Sequence, residues 1–285
     1  LLMDLGRYRD CLACFSTALS IKPDYFEAFS NLLFAQNLLP DGSAQDALAA
    51  ARKYGHLVTP KPVPPSAAVV NSDPDRRLRI GLVSGDLRSH PVGYFLESTL
   101  KAISAGGQDG LEFHVYSNHW LEDSLTERLK PYCAGWYRAA GVPDSALVER
   151  IRRDAIDILV DLSGHTANNR LPLFALKPAP VQVSWLGYFA TTGVPAIDYL
   201  IADPLTLPTA EEVNFTETIW RLPQTRLSFT PPDIDIGVSE LPALRNGYIT
   251  FGCFNSLSKM NADVVSLWSR VLLNISGSRL FLKCK

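Results

Sequence analysis

From Arg77 onward the chain alternates short, nearly continuous apolar runs with amphipathic segments, and this alternation narrows the possible folds more than any other feature. Leu78–Val83, Phe113–Ser117, Ile156–Leu162, Val181–Leu186 and Tyr199–Ala202 are β-branched or aromatic runs of strand length. Between them lie helix candidates such as Tyr94–Ile103 and Ser145–Asp154. In the latter, Leu147, Val148 and Ile151 form the apolar stripe, and Asp144 or Ser145 is placed to cap the first turn. Strands without a polar face need cover on both sides, and intervening helices supply it. The pattern therefore predicts a parallel α/β sheet. Ligands of such sheets bind beyond the carboxyl ends of the strands, so the loops after the strands are where chemistry is expected.

The remainder divides around this core. Residues 1–57 predict helices. Gly6-Arg7-Tyr8, Cys11, Phe15, Ala18 and Pro23 fall at the spacings of a second tetratricopeptide helix, in which small residues let paired helices approach and Pro23 stops the helix. Tyr25 to Leu38 fits the first helix of another repeat, with Phe29 and Leu32 at packing positions. A lone repeat cannot bury its own face, so more repeats are expected before Leu1. Residues 58–76, with five prolines from Pro60 to Pro74, predict a linker. Residues 77–232 form the expected first lobe. After the Pro231-Pro232-Asp233 break, Tyr248–Cys253, Ala262–Leu273 and Leu280–Lys283 predict the opening strand, helix and strand of a second α/β lobe over 233–285. Leu1 in place of Met, and a strand-like end, lead to the expectation that the chain is a piece of a longer protein.

Composition removes several function classes. With 27 basic and 29 acidic residues the net charge is −2, without the basic excess of a nucleic-acid binder. No apolar run approaches the roughly 18 residues of a membrane span. Five scattered cysteines suit a reducing, cytoplasmic setting rather than a disulfide framework. Cys11 and Cys14 have C-x-x-C spacing but no second pair to complete a tetrahedral zinc site, and both occupy positions where a repeat helix needs small buried residues.

Five loops carry candidate chemistry. After the first strand, Ser84 to Pro91 contains His90, which can cap a helix or exchange a proton with a substrate oxygen. After the second, Asp123 precedes Ser-Leu-Thr-Glu, which reads locally as a helix cap and alternatively as a base. Ser163-Gly164-His165-Thr166-Ala167-Asn168-Asn169-Arg170 holds more consecutive small or polar groups than a turn requires. Gly187 to Gly193 places Thr191 and Thr192 beside glycines that permit close backbone approach to an anion or a sugar. Phe254-Asn255-Ser256-Leu257-Ser258-Lys259 offers a lysine that can neutralise a phosphate or simply stay solvated.

Taken together these segments resemble the nucleocytoplasmic protein O-glycosyltransferases, namely O-linked N-acetylglucosamine transferase and its SPINDLY branch. The resemblance rests on Leu78–Asp86 with His90-Pro91, on Asp157–Asn169, on Pro178–Tyr188, on Thr191-Thr192-Gly193 with Asp198-Tyr199, and on Thr250 through Lys259. Ser163–Asn169 looks more like SPINDLY than like the animal enzyme. The resemblance implies a GT-B fold, whose two Rossmann-like lobes face a cleft, preceded by tetratricopeptide repeats that guide protein acceptors. It implies inverting transfer of N-acetylglucosamine from UDP-GlcNAc to Ser or Thr hydroxyls, without metal or cofactor. The alternatives are O-fucosyl transfer from GDP-fucose, and a repeat scaffold that no longer catalyses. His90 would contact the sugar or acceptor. Lys259 would bind the donor diphosphate, and Asp123 aligns with a carboxylate proposed as a base in the animal enzyme. Thr191, Thr192 and Gly193 would line the sugar pocket, with His165, Asn255 and Ser256 among the substrate- or donor-binding residues. Phe189 stands where the family often has Pro, which alters the pocket shape. The family's later donor-binding motifs lie beyond Lys285, so the isolated chain is expected to transfer no sugar.

Overall fold

The computed structural model describes residues 1–60, 73, 75–107, 110–231 and 234–283. Most of the expected 58–76 linker, and two residues of the Pro231-Pro232-Asp233 break, lie outside the described residues. Among the described residues the strands form two parallel sheets.

The larger sheet contains β1 (Leu78–Ser84), β2 (Leu111–Ser117), β3 (Gly135–Arg138), β4 (Ile158–Asp161), β5 (Val181–Ser184), β6 (Tyr199–Ala202) and β7 (Thr218–Arg221). Their order is β3-β2-β1-β4-β5-β6-β7, and every pairing is parallel. The chain builds outward from β1 to β3, then returns to start β4 on the other side of β1. The β1–β4 boundary is therefore the topological switch point. Five of these strands match the apolar runs of the sequence. The edge strands β3 and β7 do not, because each is four residues long and none of their residues is fully buried.

Alternation along the strands sends side chains to two covered faces. Leu82, Val115 and Val160 point toward α4 (Pro91–Ala105) and α5 (Ser124–Leu129), where Val92, Leu96, Leu100 and Leu125 are buried with them. Their neighbours Val83, Tyr116 and Leu159 face α6 (Asp144–Arg153) and α7 (Leu171–Ala175). The expected cap of α6 is corrected here. Pro143 occupies the cap position without a side-chain bond, and Asp144, already helical, pairs with Arg170 at 2.6 Å.

The N-terminal helices α1 (Tyr8–Ile21), α2 (Phe26–Gln36) and α3 (Ala44–Val58) confirm the helical reading of the first zone. They are not a separate unit. Phe29, Leu33, Ala51, Tyr54 and Val58 belong to the same buried cluster as Val83, Ile151, Phe174 and Val194 of the lobe. Backbones meet directly there. A Cβ on Gly55 would overlap the carbonyl of Gly193, and Gly193, at φ +72°, has no room against the Ala51 carbonyl. Only glycine at both places lets α3 lie on the loop after β5.

The second sheet pairs β8 (Thr250–Cys253) with β9 (Arg279–Leu282), joined through α9 (Ala262–Asn274), after a short α8 (Pro242–Asn246). Asn261 caps α9 by accepting from the Val264 N–H at 2.9 Å. This unit meets the N-terminal helices through Tyr8, whose hydroxyl donates to the Ser258 carbonyl at 2.6 Å. Among the described residues no helix is long and apolar enough to cross a membrane.

Candidate active site

Three strand-end loops converge beside the switch point. The Asn118 N–H, just past β2, donates to the Ser84 carbonyl at the end of β1 at 2.7 Å. The Asn118 side-chain amide donates to the Asn168 carbonyl in the loop after β4 at 2.8 Å. Gly85 lies so close to Asn168 that a Cβ there would sit 2.6 Å from the Asn168 Cβ. The loops after β2 and β4 open onto a cleft of about 710 Å³ lined by Asn118, Thr166, Asn168 and Arg170, with Lys22 and Tyr25 from the α1–α2 turn also lining it. The lining is rich in hydrogen-bonding side chains, which suits a polar ligand.

His90 caps α4: its Nδ1 accepts from the Val92 N–H at 3.3 Å, Pro91 follows at the first helical position, and Asp86 Oδ1 lies 3.9 Å from the same nitrogen. The ring is part-exposed at the start of a 15-residue helix, where the positive end of the helix dipole favours a negatively charged ligand group. Asp123 caps α5 in a capping box, its Oδ1 accepting from Leu125 and Thr126. Its Oδ2 accepts the Ser89 N–H at 2.7 Å, tying the His90 loop to the loop after β2. Burial pushes this carboxyl upward, but the N–H donors of Ser89, Thr126 and Leu125 outweigh it and hold the group at about 2. A carboxylate so occupied is a weak proton acceptor at neutral pH, so the geometry supports the capping reading over the base.

His165, Thr191, Thr192 and Gly193 come together, beneath the surface. His165 is 1% exposed, with Nδ1 3.0 Å from the Ser30 hydroxyl of α2 and Nε2 2.8 Å from the Thr192 carbonyl. Burial lowers this ring to about 4, with the Thr192 carbonyl opposing, so it is neutral. The Thr191 hydroxyl donates to Glu217 Oε2 at 2.6 Å, and the Thr192 N–H donates to Oε1 at 2.8 Å. The Thr192 hydroxyl also donates to Oε1. Thr192 is fully buried and Gly193 lies under α3. His165, Thr192 and Gly193 thus anchor the helical layer, while Thr191 also lines a recess of about 240 Å³ beside Tyr188 and Phe189.

Asn255, Ser256 and Lys259 stand apart from that group, in the loop after β8, where all three are exposed. The Ser256 hydroxyl bonds the Ser258 hydroxyl at 2.8 Å, and Lys259 ends a single 3-10 turn. Glu217, Asp161 and Ser30 are buried participants that the sequence reading missed. Glu217 gives no local signal, because its partners are 25 and 26 residues away in the chain. Asp161 does leave one: a carboxylate closing an otherwise apolar strand.

Comparisons with known proteins identify the family and the fold. Residues 64–230 match the model of glycosyl transferase family 41. A Petunia hybrida protein named "Probable UDP-N-acetylglucosamine--peptide N-acetylglucosaminyltransferase SPINDLY" is 36% identical over 279 residues, covering 94% of this chain and 29% of its own length. The Arabidopsis thaliana protein of the same name is 37% identical over 270 residues, covering 93% and 29%. A solved Thermobaculum terrenum O-GlcNAc transferase, carrying a K341M substitution, superposes with a TM-score of 0.90 at 38% identity, over 99% of this chain and 53% of that one. The chain thus spans under a third of these curated relatives and about half of the solved structure.

Proposed function

Because this chain belongs to glycosyl transferase family 41, we propose that it is the repeat-to-catalytic portion of a protein O-glycosyltransferase. The reaction is inverting transfer of N-acetylglucosamine from UDP-GlcNAc to Ser or Thr hydroxyls of proteins. The acceptor oxygen attacks the anomeric carbon, the bond to the diphosphate oxygen breaks, and the acceptor proton is lost to a base. In this reading α1–α3 are the last tetratricopeptide helices before the catalytic lobes, and they present protein acceptors to the cleft. The setting is cytoplasmic.

The observation that carries the proposal is the meeting of the loops after β1, β2 and β4 at the switch point, with Asn118 bonded to both Ser84 and Asn168. His90 stands at the start of α4 on one of these loops, where it can touch sugar or acceptor. Lys259, on the second sheet's strand-end loop, would neutralise the departing diphosphate. Transfer then depends on positioning and charge stabilisation, which a crevice between two lobes provides without a metal.

A second donor, GDP-fucose, is the alternative suggested by the resemblance to the SPINDLY branch, although the SPINDLY relatives carry UDP-N-acetylglucosamine in their own names. Thermal shifts of the full-length protein with each donor discriminate the two, because a ligand that binds the native state raises its stability. Lys259→Ala in the full-length protein should abolish most transfer. Undiminished transfer by that variant would overturn the assignment of Lys259, and a wild type that moves neither sugar would leave the scaffold reading. The isolated 285-residue chain is expected to transfer none.

A further inference from the structure

Strand β4 ends in a carboxylate that neither the fold nor the cap rules call for. Asp161 is 1% exposed. Its Oδ1 accepts the Ser163 N–H at 3.0 Å, and its Oδ2 accepts the Gly164 N–H at 2.9 Å and the Ser184 hydroxyl at 3.4 Å. All three donors are neutral. A buried carboxylate without a cation is expensive to keep ionised, and an Asn or Ser makes a similar side-chain-to-backbone turn without charge. What a carboxylate adds is a second acceptor oxygen, so that two successive N–H groups are held at once.

The first residues that the β4 loop contributes to the cleft follow directly on this turn. Gly164 adopts φ +55° and is pressed against the Tyr188 ring, so no other residue fits there. The Thr166 hydroxyl donates to the Ser163 carbonyl at 2.8 Å. Asn168, at φ +57°, offers its carbonyl to Asn118. Thr166, Ala167 and Asn168 are the lining residues closest in sequence to the turn.

We propose that Asp161 is a positioning residue for sugar transfer: its carboxylate holds the Ser163–Gly164 turn in the shape that presents Thr166 and Asn168 to the ligand. This role rests on the transferase reading above. Burial raises the carboxyl to about 6, with the Ser163 and Gly164 N–H groups and the Ser184 hydroxyl opposing. The titratable groups that interact with it are the Glu217 carboxylate and the Tyr54 hydroxyl, and His165, on the same loop, is neutral. Protonation removes one acceptor oxygen from the pair, so the turn loosens as pH falls.

The test uses the full-length protein and measures kcat, KM for the donor and thermal unfolding, from about pH 5 to pH 8, for wild type, Asp161→Asn and Ser184→Ala. Asp161→Asn removes a buried charge but also one of the two acceptor oxygens, opposing effects that should leave its unfolding temperature close to that of wild type. It should keep KM within about twofold and lose kcat by on the order of ten- to a hundredfold. Ser184→Ala removes one donor from the carboxylate, so the acid limb of kcat should move to higher pH. Wild-type kcat in Asp161→Asn, or a kcat loss that merely follows a lowered unfolding temperature, would overturn the role. Where Asp161→Asn does not fold, an acid limb unmoved in Ser184→Ala does the same. A wild type that transfers no sugar from either donor overturns the transferase reading and this role with it. Transfer by wild type with Asp161→Asn unaffected overturns the role alone.

Discussion

His165 donates from Nε2 to the Thr192 carbonyl, 2.8 Å away and 27 residues further along the chain. A carbonyl cannot donate, so that nitrogen carries the proton and Nδ1 accepts from the Ser30 hydroxyl at 3.0 Å. One neutral ring thus joins helix α2 to the loops after β4 and β5. Tyr54 and Tyr188 hold it edge-on, with centroids at 4.7 and 5.4 Å.

Replacing His165 with Ala should lower stability by about 3 kcal/mol, because two buried polar partners lose their bonds and a cavity opens between the tyrosines. The pH dependence has a defined sign. The folded pKa near 4 lies below the ordinary 6.5, so the unfolded chain takes up the proton first. Stability from this site is full above pH 6.5 and drains away as pH falls toward 4. Asp161, raised to about 6, acts in the opposite direction as pH falls. The wild-type slope is therefore partly cancelled, and the wild-type minus His165→Ala difference isolates the histidine. Thermal unfolding at several pH values reads it. A difference that does not shrink on acidification would show that the buried neutral ring is misassigned.

Gly55→Ala should detach α3. The added methyl would collide with the Gly193 carbonyl, and backbone on both sides leaves no side chain to move aside. A loss of 3 kcal/mol or more is expected, roughly that of a severe overpacking change. Hydrogen exchange should quicken first in Ala44–Val58. Wild-type protection of that helix in the variant would contradict the close approach.

Glu217 has three donors on one carboxylate, two of them from Thr192. Glu217→Gln keeps one acceptor oxygen and should lower stability by about 1–2 kcal/mol, whereas Glu217→Leu strands all three donors and should lower it by about 3–5 kcal/mol. Denaturant unfolding of both variants provides the comparison. Equal losses would mean that the charge, not the hydrogen bonding, matters at this position.

Asp123 separates a cap from a base. Asn caps helices about as well as Asp, and Ala costs about 1 kcal/mol. In the full-length protein Asp123→Asn keeps the cap but gives up the Ser89 N–H acceptor, so it should lose a little stability and retain most turnover, with Asp123→Ala less stable. Loss of transfer in a stable Asp123→Asn would restore the base assignment.

The amino-acid sequence alone determined the elements built from local pattern. Leu78–Val83 and Tyr199–Ala202 announce themselves as buried strands, Pro23 closes its helix, and Asp123 before Ser-Leu-Thr-Glu identifies its own cap. Each of these depends on neighbours within a turn or two, which is the range over which propensity and periodicity act. The strand-end loops could be singled out as well, because a parallel sheet places ligands there. Tertiary structure decided which of their residues face a ligand and which face the core. Nothing near Thr192 or His165 in the chain foretells that both are buried against Glu217 and Ser30, and a polar residue reads the same whether it binds a sugar or a helix. The edge strands β3 and β7 escaped for a related reason: four half-exposed residues carry too little apolar pattern, and they become strands because β2 and β6 offer them free backbone hydrogen-bonding groups. Burial and long-range hydrogen bonding are set by the meeting of distant segments, and only the folded chain brings those segments together.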